Sequence, residues 1–225
     1  MAAISSDGSI WTLDLGNDEN RFSPDWLGDV EAALDELEAS TGPAALVTIG
    51  AGKFYSNGLD LDWLGAHLDQ HEAYVERVQA LFARVLTLPV PTVAALNGHA
   101  FGAGAMLAIA HDYRVMRTDR GYFCFPEVDI HIPFTPGMTA LIASKLTPRT
   151  ALQAMTSGRR YTAVAAEAAG ILDATAMLEN LGDAAMGIVR DLAGKDRATL
   201  GKIKSGLYSD AVAALTAADV VGGTE

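Results

Sequence analysis

The segment GAGAMLAIAH at residues 102–111 is nearly all apolar, with His111 alone polar, and is made largely of Gly and Ala. A helix without a polar stripe has no side to present to water, so other elements must enclose it all round. Any fold open to this chain has to surround that one short helix. A bilayer does not do so: the longest apolar candidate, residues 90–110, is broken by Pro91, Asn97, His99 and glycines and is not a continuous membrane-spanning run. With 225 residues, half of them hydrophobic, the chain can supply the enclosure from its own elements within one domain.

The flanking periodicities say what those elements are. Trp11, Leu13 and Leu15 alternate on one face of a strand over Ile10–Leu15. Ser23 and Pro24 form a helix start, followed by Trp26, Leu27, Val30, Leu34 and Leu37 at helical spacing. Residues 44–50 read as a buried strand, and 52–64 as a loop running into a short helix. Tyr74, Val78, Leu81, Phe82 and Val85 mark a long amphipathic helix that ends before Pro89 and Pro91. Residues 91–98 form a strand closed by a glycine-rich turn ahead of the apolar helix, and YRVMR and GYFCF form two short strands. Helices follow at 136–146, at 147–158 with Thr147 and Pro148 as its start, and at 162–169. A helical tail from Asn180 is interrupted near Gly194. Strands alternate with helices to about residue 125 and helices dominate afterwards, which predicts an α/β fold.

The net charge of −12 argues against a nucleic-acid partner, which needs clustered cations. A polyanionic ligand would need local cations, and Arg159–Arg160 and Lys202–Lys204 are the pairs available. One cysteine, Cys124, permits no internal disulfide and suits a reducing compartment. The N-terminus has no basic segment leading into an apolar one, so the expected location is cytoplasmic, with no membrane contact.

Two turns are built for close backbone approach, Asn57-Gly58-Leu59 and Gly102-Ala103-Gly104. The glycines of the second fall as G-x-x-x-G-x-G, not as the G-x-G-x-x-G of a dinucleotide site. Glu127 stands between Phe125 and Val128, with Phe134 nearby. Apolar surroundings raise a carboxyl's pKa towards the range of a useful base. Asp129, two residues along an expected strand, could share its face, while Asp112 is expected to tie down the end of the apolar helix. His67 and His71 lie four apart, but without a third ligand at suitable spacing they read as exposed helix, and no metal is expected.

Four segments, in order, resemble those of the crotonase (enoyl-CoA hydratase/isomerase) superfamily. FYSNGLDLDWL (54–64) is similar to its F-x-A-G-A-D-L stretch. NGHAFGAGAMLAIAHDYRV (97–115) is similar to its N-G-x-x-x-G-G-G-x-E-L helix start. FPEVDIHIPFTPGMTALIASKL (125–146) is similar to its P-E-x-x-x-G-x-x-P-x-x-G unit, and SGRRYTAVAAEAAGILD (157–173) to its later A-x-E-A block. The resemblance implies a spiral of ββα units over 1–175, followed at 176–225 by C-terminal helices that mediate contacts in a homotrimer or hexamer. It implies an acyl-CoA substrate, with CoA part of the substrate and no separate cofactor. It places the backbone amides of Leu59 and Ala103 in an oxyanion hole, with Gly58 and Gly102 beside them, Arg21 facing CoA phosphates and Asn57 near adenine. The hydratase pattern has two glutamates, whereas the matching positions here are Met106 and Glu127. One carboxylate suffices to take a proton from C2 and return it at C4, so the pattern resembles Δ3-Δ2-enoyl-CoA isomerases, with Met106 and Phe134 bordering the acyl chain. Lys202, Lys204 and Tyr208 are the candidates for a CoA contact from the tail. A hydratase, another crotonase activity and a catalytically silent CoA-binding subunit remain open alternatives.

Overall fold

The computed structural model describes residues 1–217. Strands β1 (Ala3–Asp7) and β2 (Ile10–Asp14) pair antiparallel and lead into α1 (Pro24–Ala39). That helix starts where expected: the Ser23 hydroxyl accepts from the Trp26 amide, and Pro24 occupies the first turn. The chain then repeats one pattern. The first pass is β3 (Ala45–Ile49), β4 (Phe54–Ser56), α2 (Leu61–Ala66) and α3 (His71–Thr87). The second is β5 (Thr92–Leu96), β6 (His99–Phe101) and α4 (Ala103–Ala110), and the third is β7 (Tyr113–Arg117), β8 (Phe123–Cys124) and α5 (Pro136–Lys145). After these come α6 (Pro148–Ser157), α7 (Ala163–Ala168), β9 (Ala174–Ala176), α8 (Leu178–Arg190), α9 (Arg197–Leu207) and α10 (Ser209–Thr216).

Each pass gives one strand to a large sheet and one to a small sheet. The large sheet has the order β1-β2-β3-β5-β7-β9, parallel from β2 onwards, and the small one the order β4-β6-β8, all parallel. This is the expected spiral of ββα units. Strands β4, β6 and β9 have three residues each, too few for an alternation to show, so the loop expected around Phe54 conceals a strand. Strand β1 carries no apolar alternation either; apart from Ala3 and Ile4 it is Ser-Ser-Asp and mostly exposed.

Helix α4 is the hub that its sequence requires. All eight of its residues are buried, and it packs against α3, α5 and strands of both sheets. The other face of the large sheet, with Val47, Val93, Ala95 and Val115, is covered by Leu181, Ala185 and Val189 of α8. Beneath it the Tyr55 hydroxyl, Thr48 Oγ1 and His111 Nε2 form a buried chain at 2.8 and 3.0 Å. Burial pushes His111 down to about 3, so its imidazole is neutral.

The C-terminal helices are fastened to this core. Lys204 Nζ donates to Asp112 Oδ2 (2.6 Å) and to the Val90 carbonyl (2.8 Å). Arg197 donates to the carbonyls of Leu37 and Ser40 at the end of α1. Ala211 and Leu215 of α10 belong to the main core. Two expectations are corrected here. Lys204 is not a free tail cation for CoA, because its ammonium is buried and ion-paired. Asp112 does not serve the end of α4: its carboxylate accepts from the Thr92 amide (2.8 Å) and from Lys204, joining the start of β5 to α9. Among the described residues no helix is long and apolar enough to cross a membrane.

Candidate active site

The loop after β4 and the first turn of α4 meet at Gly58. Its φ is +84°, and a Cβ there would lie 2.8 Å from the Phe101 carbonyl oxygen and 2.9 Å from the Ala103 amide nitrogen. Glycine alone combines that dihedral with that approach. The loop is pinned on its other side: the Phe22 amide donates to the Gly58 carbonyl (2.9 Å), and Ser56 Oγ accepts from the Gly58 amide while donating to the Asn20 carbonyl. Two donors are thereby left on adjoining backbone. Ala103 opens α4, so its amide lies outside the i→i−4 ladder. The Leu59 amide has no acceptor among the described residues.

The third pass brings Glu127. The sequence predicts a strand carrying Glu127 and Asp129; the backbone instead turns over residues 127–131, with the Ile132 amide donating to the Glu127 carbonyl (3.0 Å). Pro126 precedes the turn and offers no amide to a ladder. The two side chains therefore diverge. Asp129 is exposed and lies against Gly158, away from Glu127, which corrects the expectation of a shared face.

Glu127 is 7% exposed and is the one buried carboxylate among the described residues. Its Oε2 has no hydrogen-bond partner. A Cβ on Gly102, whose φ is +52°, would stand 3.3 Å from Oε1, so a side chain there would crowd the carboxyl. Desolvation raises Glu127 to about 7, within the range that suits a general base near neutrality.

Two cavities adjoin at this carboxyl and share Leu59, Leu61, Ala103, Glu127 and Ile132 in their walls. The Arg21 cavity, about 320 Å³, adds Arg21, Asn57, Asp62 and Gly102 together with Phe101, Pro126 and Ile130. The apolar one, about 400 Å³, adds Met106, Phe134, Leu64, Val75 and Met138. Arg21, Asn57, Leu59, Gly102, Ala103, Met106, Glu127 and Phe134 each line one or both of these cavities, Gly58 holds the two amide-bearing segments together, and Lys204 and Tyr208 line a separate cavity beside α9. Arg21 arrives already paired, to Glu19 (2.5 Å) and Asp62 (2.6 Å), and Asn57 Nδ2 donates to the same Glu19 (3.2 Å). Leu61, Leu64, Val75 and Ile132 were not singled out. Their only signal is a helical or alternating apolar pattern, which ordinary core residues share. Arg160 places its guanidinium over the ring of Phe101 (5.7 Å), which lines the Arg21 cavity. His67 stacks on Trp63, and among the described residues no three His, Cys, Asp or Glu side chains converge where a metal could sit.

A family model described as enoyl-CoA hydratase/isomerase matches residues 7–219. Enoyl-CoA delta isomerase 3 of Arabidopsis thaliana is 39% identical over 197 residues, covering 84% of this chain and 80% of its own length. Enoyl-CoA delta isomerase 2, peroxisomal, of the same plant is 37% identical over 186 residues, covering 78% and 77%. Among solved structures, an enoyl-CoA hydratase/isomerase family protein from Pseudomonas syringae superposes with a TM-score of 0.90 at 26% identity, covering 96% of this chain and 94% of that one. The apo enoyl-CoA isomerase of Mycobacterium tuberculosis gives 0.87 at 26%, covering 95% and 93%.

Proposed function

This chain belongs to the enoyl-CoA hydratase/isomerase family, and on that basis we propose that it is a Δ3-Δ2-enoyl-CoA isomerase in which Glu127 is the single acid–base group. The observation that carries the proposal is the count of buried carboxylates, which among the described residues is Glu127 alone. Hydration needs one group to activate water and another to protonate carbon. The other acids in the two cavities, Asp62 and Glu72, are exposed, and Asp62 is bound to Arg21. Buried Met106 offers no proton.

In this mechanism the thioester carbonyl sits at the junction of the cavities, its oxygen accepting from the amides of Leu59 and Ala103. The Glu127 carboxylate removes a proton from C2. The electron pair moves into the C2–C1 bond, and negative charge builds on the thioester oxygen as a dienolate. The two amides meet that charge, and the N-terminus of α4 adds its dipole. Protonated Glu127 then delivers its proton to C4, leaving the double bond between C2 and C3. No metal or separate cofactor enters, and CoA leaves as part of the product. We further propose a homotrimer or hexamer as the working assembly, supported by apolar side chains that remain exposed on α6, α7 and α9, such as Leu152, Val164 and Leu207.

The test is to assay 3-enoyl-CoA isomerisation and 2-enoyl-CoA hydration side by side in the parent and in Glu127→Gln. The parent should isomerise faster than it hydrates, and the variant should lose roughly 10²-fold or more, as expected for removal of a general base. Faster hydration than isomerisation would sink the single-base mechanism. Tight acyl-CoA binding with neither reaction would mark a silent binding subunit.

A further inference from the structure

The buried chain of Tyr55, Thr48 and His111 touches neither cavity at Glu127, yet its hydrogen bonds run in one fixed direction. His111 Nδ1 lies 2.8 Å from the Leu107 carbonyl, which only accepts, so Nδ1 carries the proton of the neutral ring. Nε2 is then an acceptor, and Thr48 donates to it (3.0 Å). That uses the single Thr48 hydroxyl proton, so the Tyr55 phenol donates to Thr48 Oγ1 (2.8 Å). Burial pushes the phenol's pKa up, which keeps its proton in place. The three residues are at most 2% exposed, and none of their side-chain polar atoms lacks a partner. The two ends of this relay fall close in sequence to the two amides left free at the site. Tyr55 stands in β4, four residues before Leu59, and Leu107 stands in α4, four residues after Ala103. At the front the two elements touch directly, where a Cβ on Gly104 would lie 2.5 Å from the Ser56 carbonyl oxygen. The relay joins them again at the back, through Thr48 of β3 and His111 at the C-terminal end of α4.

We infer that Tyr55, Thr48 and His111 are positioning residues, whose relay holds β4 and α4 so that the Leu59 and Ala103 amides converge on one thioester oxygen. The inference rests on the oxyanion-hole reading of those amides, but not on which reaction follows. A short helix that meets a strand at one point is free to pivot against it, and a second, buried tie removes that freedom. Donors need to stand within about 0.5 Å of their productive positions, and a misplacement of about 1 Å costs on the order of 10²-fold in rate. Removing one of two ties should displace the amides by less than that, for a loss of about tenfold in kcat. Ground-state binding should change little, because the three side chains line neither cavity.

The experiment compares Thr48→Val, which keeps the shape and breaks the relay in the middle, with Thr48→Ser, which keeps the hydroxyl and loses a methyl group. Both should lower the melting temperature, so stability alone does not separate them. Isomerisation kinetics should: Thr48→Val loses about tenfold in kcat with KM within twofold of the parent, and Thr48→Ser stays within about twofold in both. A second readout needs no turnover. Bound butanoyl-CoA, labelled with ¹³C at the thioester carbonyl, should show its C=O stretch shifted down in the parent and in Thr48→Ser, and shifted less in Thr48→Val. Tyr55→Phe removes only the first hydroxyl of the relay and should give the same pattern in weaker form, so it decides the matter if Thr48→Val does not fold. Folded Thr48→Val or Tyr55→Phe with parental kcat and parental carbonyl shift would overturn the inference and leave the isomerase assignment standing. A parent that shifts the carbonyl in a Thr48-dependent way but isomerises no 3-enoyl-CoA would support the relay and sink the assignment. No carbonyl shift in the parent would overturn the inference outright, since there would be no polarising amides to position.

Discussion

Glu127 faces two demands that conflict. To take a proton as the proposed base it must be ionised, and the fold prefers it neutral, since its Oε2 is buried without a partner and desolvation raises its pKa to about 7. The folded pKa lies above the ordinary 4.5, so the folded state binds the proton more tightly than the unfolded chain does. Stability from this site is complete below the ordinary carboxyl range and is lost as pH rises through about 7. Glu127→Gln should therefore leave stability nearly unchanged at acid pH and raise it in mildly alkaline buffer. The gain should be about 1–3 kcal/mol, less than the full linkage energy because the carboxamide's N–H groups need partners too. Denaturant unfolding of both proteins across the pH range measures this, and equal stability at every pH would mean Glu127 is not desolvated. The catalytic counterpart is a parent kcat/KM that rises with pH and levels off above about 7, as the ionised base becomes the main form.

The segments that carry the site depend on one contact, the loop after β4 lying against the first turn of α4. Gly58→Ala puts a methyl group within 3 Å of the Ala103 amide at a φ of +84°. The cost should exceed about 1 kcal/mol in stability, and isomerisation should fall on the order of 10²-fold through displacement of one proposed oxyanion donor. A folded variant with normal turnover would show that the two amides need not be held together. This contact was half legible in the sequence. The glycines announced tight turns, and the order of the four family-like segments announced the spiral, because both are local patterns. What could not be read is how the segments cross. Nothing in Lys204 or Asp112 says that they pair from 92 residues apart, and nothing in Asp129 says that the backbone turns before it can join Glu127. The three-residue strands of the small sheet were hidden for a related reason: their pairing is set by the spiral and not by their own composition.

The whole molecule carries a net charge of −12, and Arg21, which lines the cavity beside Glu127, is already held by Glu19 and Asp62. A CoA thioester, itself polyanionic, approaches against the average field. Moderate salt should therefore raise kcat/KM for CoA substrates by screening repulsion between exposed charges, and should leave the neutral N-acetylcysteamine thioesters unaffected. Salt that weakens turnover of CoA substrates would instead mean that attraction to a local cation such as Arg160 dominates.

The three-pass spiral also sets when the site can exist. Leu59, Ala103 and Glu127 leave the ribosome in that order, one from each pass, while Ala211 and Leu215 of the same core follow only with α10. Until α10 emerges, a nascent chain holds these proposed site groups and lacks a helix that packs against its core. A message truncated shortly before α10 would thus yield a polypeptide with a full chemical inventory and an unfinished interior, a species for chaperones and proteases to meet before any substrate does.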